Sequence, residues 1–344
     1  TITTYYLYII DKHISNPYNE LKNRRSGVCR NYLYFTSFFK RMEVIMLIAL
    51  KGLCVIGMVL CISLTLLKVK SNLATEEGRA EWAEQKKFAP WNAMVGVVAN
   101  FFDTLGIGSY ATSCALFKIR GSIKDIYIPG TLNVGDTLPV LLEAFLFFGF
   151  VEIDTLTLVS MLIAAVLGAF VGAGIVTKWD QHMVRVGMCV GLLILGTVMA
   201  CKAAGIGPFG LAGTALGLKG IKLIIAVVVN FFLGALMNIG VGLYAPCMAL
   251  VAVLGLNIGA AFPIMMGSCA YLMAFGNGPK FIKENRFDMV CTLCQMIGGV
   301  IGVCIAYFLV KSLPLDVLMK IVIVVVYFTA FMFGKDALAD KKKA

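Results

Sequence analysis

The chain has 344 residues, of which 60% are hydrophobic and 14% charged, and its mean hydropathy is +0.88. A soluble domain is about half apolar and a quarter charged, so the composition excludes an ordinary soluble enzyme. A transmembrane helix needs about 20 apolar residues, and the chain has room for several. The net charge of +11 comes from short basic clusters between apolar stretches. Lys and Arg in such clusters set membrane orientation, so we expect a lipid bilayer and no nucleic acid as partner.

Residues 1–41 differ from the rest because they are polar, basic and rich in Tyr and Asn. They predict a disordered tail or a mis-assigned leader, with translation starting at Met42 or Met46. Residues 42–90 predict an extra N-terminal transmembrane helix followed by a charged linker, and residues 337–344 form a basic tail. The predicted apolar segments are Val44–Leu67, Trp91–Phe117, Tyr127–Phe150, Thr155–Val176, Val184–Ala204, Ile221–Leu256, Ile258–Gly276, Met289–Val310 and Leu315–Phe333.

Two parts of the chain share short motifs in the same order. Val-Val-Ala-Asn-Phe-Phe at 97–102 corresponds to Val-Val-Val-Asn-Phe-Phe at 227–232, and Gly-Ile-Gly-Ser-Tyr-Ala at 106–111 corresponds to Gly-Val-Gly-Leu-Tyr-Ala at 240–245. Asn-Val-Gly-x-x-x-Pro at 133–139 then matches Asn-Ile-Gly-x-x-x-Pro at 257–263, and Asp154 pairs with Asp288. Such self-similarity is the signature of internal repeats. It predicts one transporter repeat over residues 91–204 and a second over 205–336.

Each predicted repeat begins with an apolar segment that two glycines interrupt. Non-helical backbone at membrane depth is tolerated where it is buried in protein or lines a cavity. We therefore predict an all-α polytopic membrane protein in which each repeat is a broken or re-entrant segment followed by three transmembrane helices. The alternative is that these glycines only allow close helix packing, as we expect for the Gly-x-x-x-Gly pairs at 168–172, 187–191 and 298–302.

The basic residues favour one topology over another. If each broken segment is a hairpin, Lys and Arg concentrate more strongly on the side of the C-terminus than if each segment crosses once. This distribution favours inverted repeats. It also places the C-terminus in the cytoplasm and the chain in the cell membrane.

Three carboxylates lie within the first predicted repeat. Ionisable residues at membrane depth are costly and mark functional sites by default. Asp103 precedes the first break, and Asp136 and Glu143 are seven residues apart on one predicted helix face. Asp103 and Asp136 are the candidates for proton coupling. For Asp136, simple solvation at the membrane interface is an equally good interpretation.

The breaks also suit an anion. A helix that restarts at membrane depth presents free N–H groups and the positive end of its dipole. Neutral donors could hold an oxyanion loosely, as a carrier must if it is to release its substrate. These candidate donors are Ser109, Tyr110, Thr112, Ser113, Asn133, Tyr244 and Asn257.

Catalytic and metal-binding patterns are weak. Gly205-Ile-Gly-Pro-Phe-Gly210 has the spacing of a dinucleotide loop, but it follows an apolar span rather than a strand. The chain has two histidines, which argues against haem, di-iron and His-based zinc sites. Cys291 and Cys294 lie in an apolar run with no second pair to complete a zinc site. We expect no enzyme activity, no cofactor and no metal.

The repeated Asn-Phe-Phe, Gly-[Ile/Val]-Gly-x-Tyr-Ala and Asn-[Val/Ile]-Gly-x-x-x-Pro motifs resemble the TauE/SafE-type sulfite exporter family of membrane permeases. The resemblance covers residues 91–336. It implies a secondary carrier for sulfite, thiosulfate, organosulfonates or other small organic anions. The motif positions that it marks as substrate-binding are Gly106, Gly108, Tyr110, Asn133, Gly240, Gly242, Tyr244 and Asn257.

The sequence departs from that family at the breaks. Ser109 and Leu243 stand where a further Gly is common, and Pro246 follows only the second break, with Thr112 at the matching place of the first. These differences bear on substrate identity more than on fold. Two alternatives remain open, an anion channel and a membrane-embedded enzyme or accessory subunit. A homo-oligomer is also compatible with the sequence.

Overall fold

The computed structural model describes residues 27–149, 153–206, 213–239, 242–309 and 315–341. Over these ranges the chain is almost entirely helical, and the extended contacts are the isolated bridges Gly213–Asn257 and Ala215–Leu256. The predicted all-α class is therefore confirmed. The helices are α1 Gly27–Leu73, α2 Glu76–Gln85, α3 Ala89–Thr104, α4 Ser109–Arg120, α5 Ile128–Gly135, α6 Thr137–Phe147, α7 Thr155–Val176, α8 Gln181–Ala203, α9 Ile221–Leu236, α10 Tyr244–Val253, α11 Ala261–Tyr271, α12 Gly278–Lys283, α13 Met289–Leu309 and α14 Leu315–Lys341.

Within the described ranges, five helical stretches are long and apolar enough to cross a membrane. The chain is therefore a multi-pass membrane protein, as its composition predicts. The stretches are Val44–Leu73, Thr155–Val176, Gln181–Ala203, Ile221–Ile239 and Met289–Phe308. Residues 1–26 of the predicted leader lie outside the described ranges, and residues 27–41 belong to α1.

Both broken segments are hairpins. The Gln85 side chain, just before α3, accepts a hydrogen bond from the Val290 N–H at 3.2 Å, which places the start of α3 beside the start of α13. After α4 the chain turns directly into α5, where Thr131 accepts from the Asp288 N–H at 2.9 Å. The start of α3 and the end of α4 therefore lie at the same end of the helix bundle, which we call the Asp288 end.

The second hairpin enters from the opposite end. Lys222 at the start of α9 donates to the carbonyl of Leu254, just after α10, at 3.3 Å. The Asp154 N–H, just before α7, donates to the carbonyl of Leu216, just before α9, at 2.7 Å. Helix α7 then runs the length of the bundle, and Trp179 beyond its end accepts from Arg286 at the Asp288 end. We call the opposite end the Leu254 end.

Small residues bring the helices of the bundle together. Helix α3 packs along α13, and α9 packs along α7. A Cβ on Gly298 or Gly302 would lie 2.4 or 2.2 Å from a backbone oxygen of α3, and one on Gly168 or Gly172 would lie 1.8 or 2.6 Å from a backbone oxygen of α9. The packing role predicted for these two Gly-x-x-x-Gly pairs is confirmed, because a larger residue would separate the backbones.

Two predicted spans differ in detail from the sequence expectation. The segment from Tyr127 is one helical path with a join at Asp136, where Pro139 cannot donate a backbone hydrogen bond in the next turn. The segment from Ile258 does not end near Gly276. It widens into a π-helical turn, Leu272–Asn277, and continues as α12 to Lys283. Such turns are frequent at functional sites, and this one places Asn277 inside the bundle.

Candidate functional site

The tips of the two hairpins meet at a small cavity within the bundle. Its volume is about 20 Å³, room for roughly one water molecule. The first tip contributes Asp103 and Gly108 through Ala111, and the second contributes Gly242, Leu243 and Tyr244. The remaining lining is apolar and comes from Val140, Leu195, Met237, Cys269 and Met273, together with Ile107 of the first tip. Among the lining residues that the structure describes, none is Lys, Arg or His.

Glycine makes the first tip possible. Gly106 and Gly108 have φ angles of +84° and +97°, which residues with a Cβ rarely adopt. Helix α4 then restarts at Ser109, and the Asp103 carboxylate accepts a hydrogen bond from the Ser109 N–H at 2.6 Å. A carboxylate at a helix N-terminus satisfies a free N–H and is stabilised by the helix dipole. Asp103 therefore caps the half-helix that follows it.

Tyr244 joins the second tip to Asp103 of the first tip and to Glu143 on α6. Its hydroxyl lies 3.2 Å from Asp103 Oδ2 and 3.0 Å from Glu143 Oε2. A phenol has one proton to donate, and ionised carboxylates only accept. One added proton satisfies both contacts: Glu143 donates to Tyr244, and Tyr244 donates to Asp103. The geometry therefore fits a cluster that holds a proton between the two hairpin tips.

Further polar contacts connect this cluster to its neighbours. Thr104 donates to Glu143 Oε1 at 2.7 Å, and Asn100 donates to Asp136 Oδ1 at 3.2 Å. Asp136 and Glu143 have no solvent exposure, and Asp103 is 3% exposed. Asp136 and Glu143 thus contact α3, which carries Asp103, so three buried carboxyl groups lie close together beside the cavity. The interfacial, solvated interpretation of Asp136 is wrong, because α5 and α6 place it inside the bundle.

The predicted donor Asn133 belongs to a second polar cluster behind the cavity. Its amide donates to the Tyr110 hydroxyl and to the carbonyl of Pro129, the latter at 2.8 Å. Asn277 donates to Asn133 Oδ1 at 2.6 Å and to Asn238 Oδ1 at 3.1 Å. Neutral amides therefore link the first tip to the π-helical turn and to the end of α9.

The predicted site residues fall into those that line the cavity and those that do not. Asp103, Gly108, Ser109, Tyr110, Gly242 and Tyr244 line the cavity, whereas Gly106, Thr112, Asn133 and Asp136 lie near it without lining it, and Gly240 is outside the described ranges.

Asn257 lies away from the cavity. Its N–H donates to Ala215 at 2.8 Å, and its side chain accepts from the Gly259 N–H at 2.8 Å, at the Leu254 end. The predicted substrate-binding role of Asn257 is therefore not supported. Its motif match to Asn133 is local, and the two asparagines occupy different environments.

Several polar residues around the site are not among the predicted candidates. Asn100 was visible as part of a repeated motif, but its contact with Asp136 depends on helix packing. Thr104, Asn277, Thr292 and Gln295 are polar residues inside apolar runs. That is the sequence signal by which they could have been found. Each is buried, and Thr292 and Gln295 have no exposure.

Basic residues cluster instead at the Asp288 end. Lys118 contacts Asp125 and Asp336, both at 2.6 Å, and Arg185 contacts Asp125 at 2.7 Å and Asp340 at 2.6 Å. These ion pairs tie α4, α8 and α14 together beyond the cavity. Over the described ranges, no group of three or more His, Cys, Asp or Glu side chains is arranged to hold a metal ion.

No family model, no curated protein and no solved structure matches this chain.

Proposed function

We propose that the protein is a secondary carrier that moves a small anion together with protons by alternating access. The observation that carries this proposal is the meeting of two hairpins, which enter from opposite ends, at one cavity. Discontinuous helices of this kind form substrate sites near the midplane of secondary transporters. A cavity with room for about one water molecule is too small for an open pore, which favours a carrier over an anion channel.

Opposed hairpins support the inverted arrangement of the two repeats. Helix α3 of the first hairpin packs along α13, and α9 of the second packs along α7. Each hairpin thus packs against a helix of the other predicted repeat. This reciprocal packing is expected of two repeats that are related by a twofold axis in the membrane plane. The Asp288 end, where the Lys-rich α14 ends, faces the cytoplasm by the distribution of basic residues.

The helix starts at the cavity support an anion as substrate. Helices α4 and α10 both begin there, and their first turns present the positive ends of their dipoles. The sulfur oxyanion or organosulfonate class follows from the resemblance to TauE/SafE-type permeases. Three buried carboxyl groups lie in or beside the cavity, and the lining residues that the structure describes include no Lys, Arg or His. An anion therefore enters favourably only when protons neutralise these carboxyl groups. Anion binding and proton binding are then coupled.

Counterflow into proteoliposomes tests this function. Wild-type protein should take up labelled sulfite, thiosulfate or a small sulfonate saturably, and faster when the loading side is mildly acidic. Tyr244→Phe keeps the ring but removes the hydroxyl between Asp103 and Glu143, so we expect uptake to fall by roughly tenfold or more.

Tyr271→Phe is the matched control. Tyr271 is also buried, but its hydroxyl donates to the carbonyl of Leu50 at 2.6 Å, away from the cavity. Its uptake should stay within about twofold of wild type. Folded wild-type protein that takes up none of these anions would contradict the proposal, and equal uptake by both Phe variants would contradict the role of the Tyr244 cluster.

A further inference from the structure

A seam of buried polar residues runs from the Asp288 end of the bundle to the central carboxylates. We define this polar seam as Asn92 and Asn100 on α3, Asp136 between α5 and α6, and Thr292 and Gln295 on α13. All five residues have no solvent exposure. None of them lines the cavity between the hairpin tips, so the seam is a separate feature.

The seam contains many polar atoms without a protein partner. They are both amide atoms of Asn92, both amide atoms of Gln295, Thr292 Oγ1, Asn100 Oδ1 and Asp136 Oδ2. A buried polar atom without a hydrogen bond costs roughly 1–3 kcal/mol, and most such atoms in proteins are paired with protein or ordered water. Seven of them along one interface require a common explanation.

Glycines let polar side chains of the seam lie between the helices. A Cβ on Gly96 would lie 2.9 Å from Gln295 Oε1, and one on Gly135 would lie 2.8 Å from Gln295 Cβ. A Cβ on Gly299 would lie 2.8 Å from Asn100 Nδ2. Gln295 and Asn100 therefore lie directly against glycines of α3, α5 and α13.

A titratable group stands at each end of the seam. Asp288 caps α13 by accepting from the Cys291 N–H at 2.8 Å, and burial raises its pKa to about 7. The charged groups that act on Asp288 are Glu81 and Lys124, and the one that acts on Asp136 is Asp103. Two helical turns of α13 separate Asp288 from Gln295, which is about 10 Å.

We propose that the polar seam holds a chain of water molecules that conducts protons between Asp288 and Asp136. Water supplies both donors and acceptors, as the unpartnered amide and hydroxyl groups of the seam require. The proton enters at Asp288, passes along the waters that Thr292, Gln295 and Asn92 hold, and binds to Asp136 Oδ2. This path gives the Asp288 end access to the buried carboxylates. The coupling role rests on the proposed carrier function, but proton access does not.

Infrared spectroscopy of the reconstituted protein at mildly acidic pD tests proton access directly. The carboxyl C=O band that disappears in Asp136→Asn should shift when H₂O is replaced by D₂O. In Thr292→Val with Gln295→Leu, which keep the side-chain sizes, this shift should be slower by roughly tenfold or more. Ser268→Ala, a buried hydroxyl on α11 outside the seam, is the control and should exchange as wild type does.

Equal exchange in the double variant and in wild type would overturn the proposal. It would also be overturned if Asp136→Asn removed no carboxyl band, because Asp136 would then carry no proton. A transport measurement distinguishes the proposed carrier function from the proposed proton conduction. The double variant should lose pH-driven net uptake while counterflow stays within about twofold of wild type, since exchange leaves protons on the carrier. Equal loss of both would indicate a structural role and contradict conduction.

Discussion

Two helix interfaces in this bundle have the same construction but different chemistry. Helix α13 packs on α3, and α7 packs on α9, each through a Gly-x-x-x-Gly pair pressed against backbone oxygens. Each begins with an aspartate that caps the helix: Asp288 accepts from Cys291, and Asp154 accepts from Thr157. At this level the two interfaces are interchangeable.

They differ in the side chains that lie between the cap and the centre. Thr292 and Gln295 on α13 face Gly96 and Gly135, whereas Leu158 and Met161 occupy the corresponding turns of α7. Leu158 and Met161 are as fully buried as their polar counterparts. The α7–α9 interface also contains amides, but these bond to α7: Asn230 donates to the carbonyl of Met161 at 2.7 Å, and Asn238 donates to that of Ala169 at 3.2 Å. The side chains of Asn92 and Gln295 have no protein partner, so they contribute no such hydrogen bond to the association of α3 and α13.

The carboxyl groups are also distributed unequally between the two hairpins. Asn100 contacts Asp136 and Thr104 contacts Glu143 beside the first hairpin. Beside the second hairpin, Asn230 donates to Ser268 at 3.1 Å, and Asn277 donates to Asn238 at 3.1 Å. The described contacts thus place carboxyl groups on one side of the cavity and neutral groups on the other. In the carrier proposed above, the groups that would bind protons therefore belong to one half of the bundle.

The largest expected effect tests what the two interfaces share. Gly168→Ala and Gly302→Ala each put a Cβ against a backbone oxygen, at 1.8 and 2.2 Å, so we expect each to destabilise the protein by about 3 kcal/mol. Thermal unfolding in detergent measures this loss. Gly52→Ala is the control, because a Cβ there meets nothing within 4 Å and should stabilise α1 slightly. A loss at only one of the two glycines would show that the interfaces are not equivalent.

A smaller effect distinguishes the two capping aspartates. Because burial raises the pKa of Asp288 from 3.8 to about 7, the folded state binds one proton more than the unfolded state between these values. Stability from this group is highest below pH 4, falls as the pH rises toward 7 and then stays level. Between pH 5 and 7 the loss is about 2 kcal/mol.

Asp288→Asn should remove this part of the pH dependence of thermal unfolding. Asp154 caps α7 as Asp288 caps α13, but it is exposed to solvent, so Asp154→Asn is the matched control for the loss of a capping carboxylate. The assignment to Asp288 fails if the two variants give the same profile.

The smallest expected effects come from exchanging a polar and an apolar residue between matching positions of α13 and α7. Thr292→Val keeps the size of the side chain and removes a hydroxyl that has no protein partner, so the free energy of unfolding should stay within about 1 kcal/mol of wild type. Leu158→Thr puts a hydroxyl at the matching apolar position of α7 and should lower the free energy of unfolding by at least about 1 kcal/mol. Thermal unfolding of both variants compares the two changes. A Thr292→Val protein that loses more stability than the Leu158→Thr protein would contradict this difference between the interfaces.

Much of the architecture was predictable from the sequence. The apolar segments and the breaks at 105–108 and after Ile239 follow from hydropathy and paired glycines, and the distribution of basic residues favoured hairpins. The site was only partly predictable. Asp103 and Tyr244 stand out as polar groups at breaks, but the contact between them spans 141 positions and depends on the packing of both hairpins. The polar seam was missed because an isolated Gln or Thr in an apolar run does not reveal which helix it faces.

The cap at Ser109 has a consequence for how such a carrier avoids leakage. Asp103 is a tethered anion that already occupies the positive end of α4, with its oxygen 2.6 Å from the Ser109 nitrogen. An incoming anion competes with Asp103 for the same N–H groups. A proton on Asp103 weakens the interaction of its carboxyl group with these N–H groups. Binding of the substrate anion and release of the Asp103 carboxylate from the start of α4 would thus be one step. In the proposed carrier, Asp103 would therefore keep the start of α4 neutralised while no anion is bound.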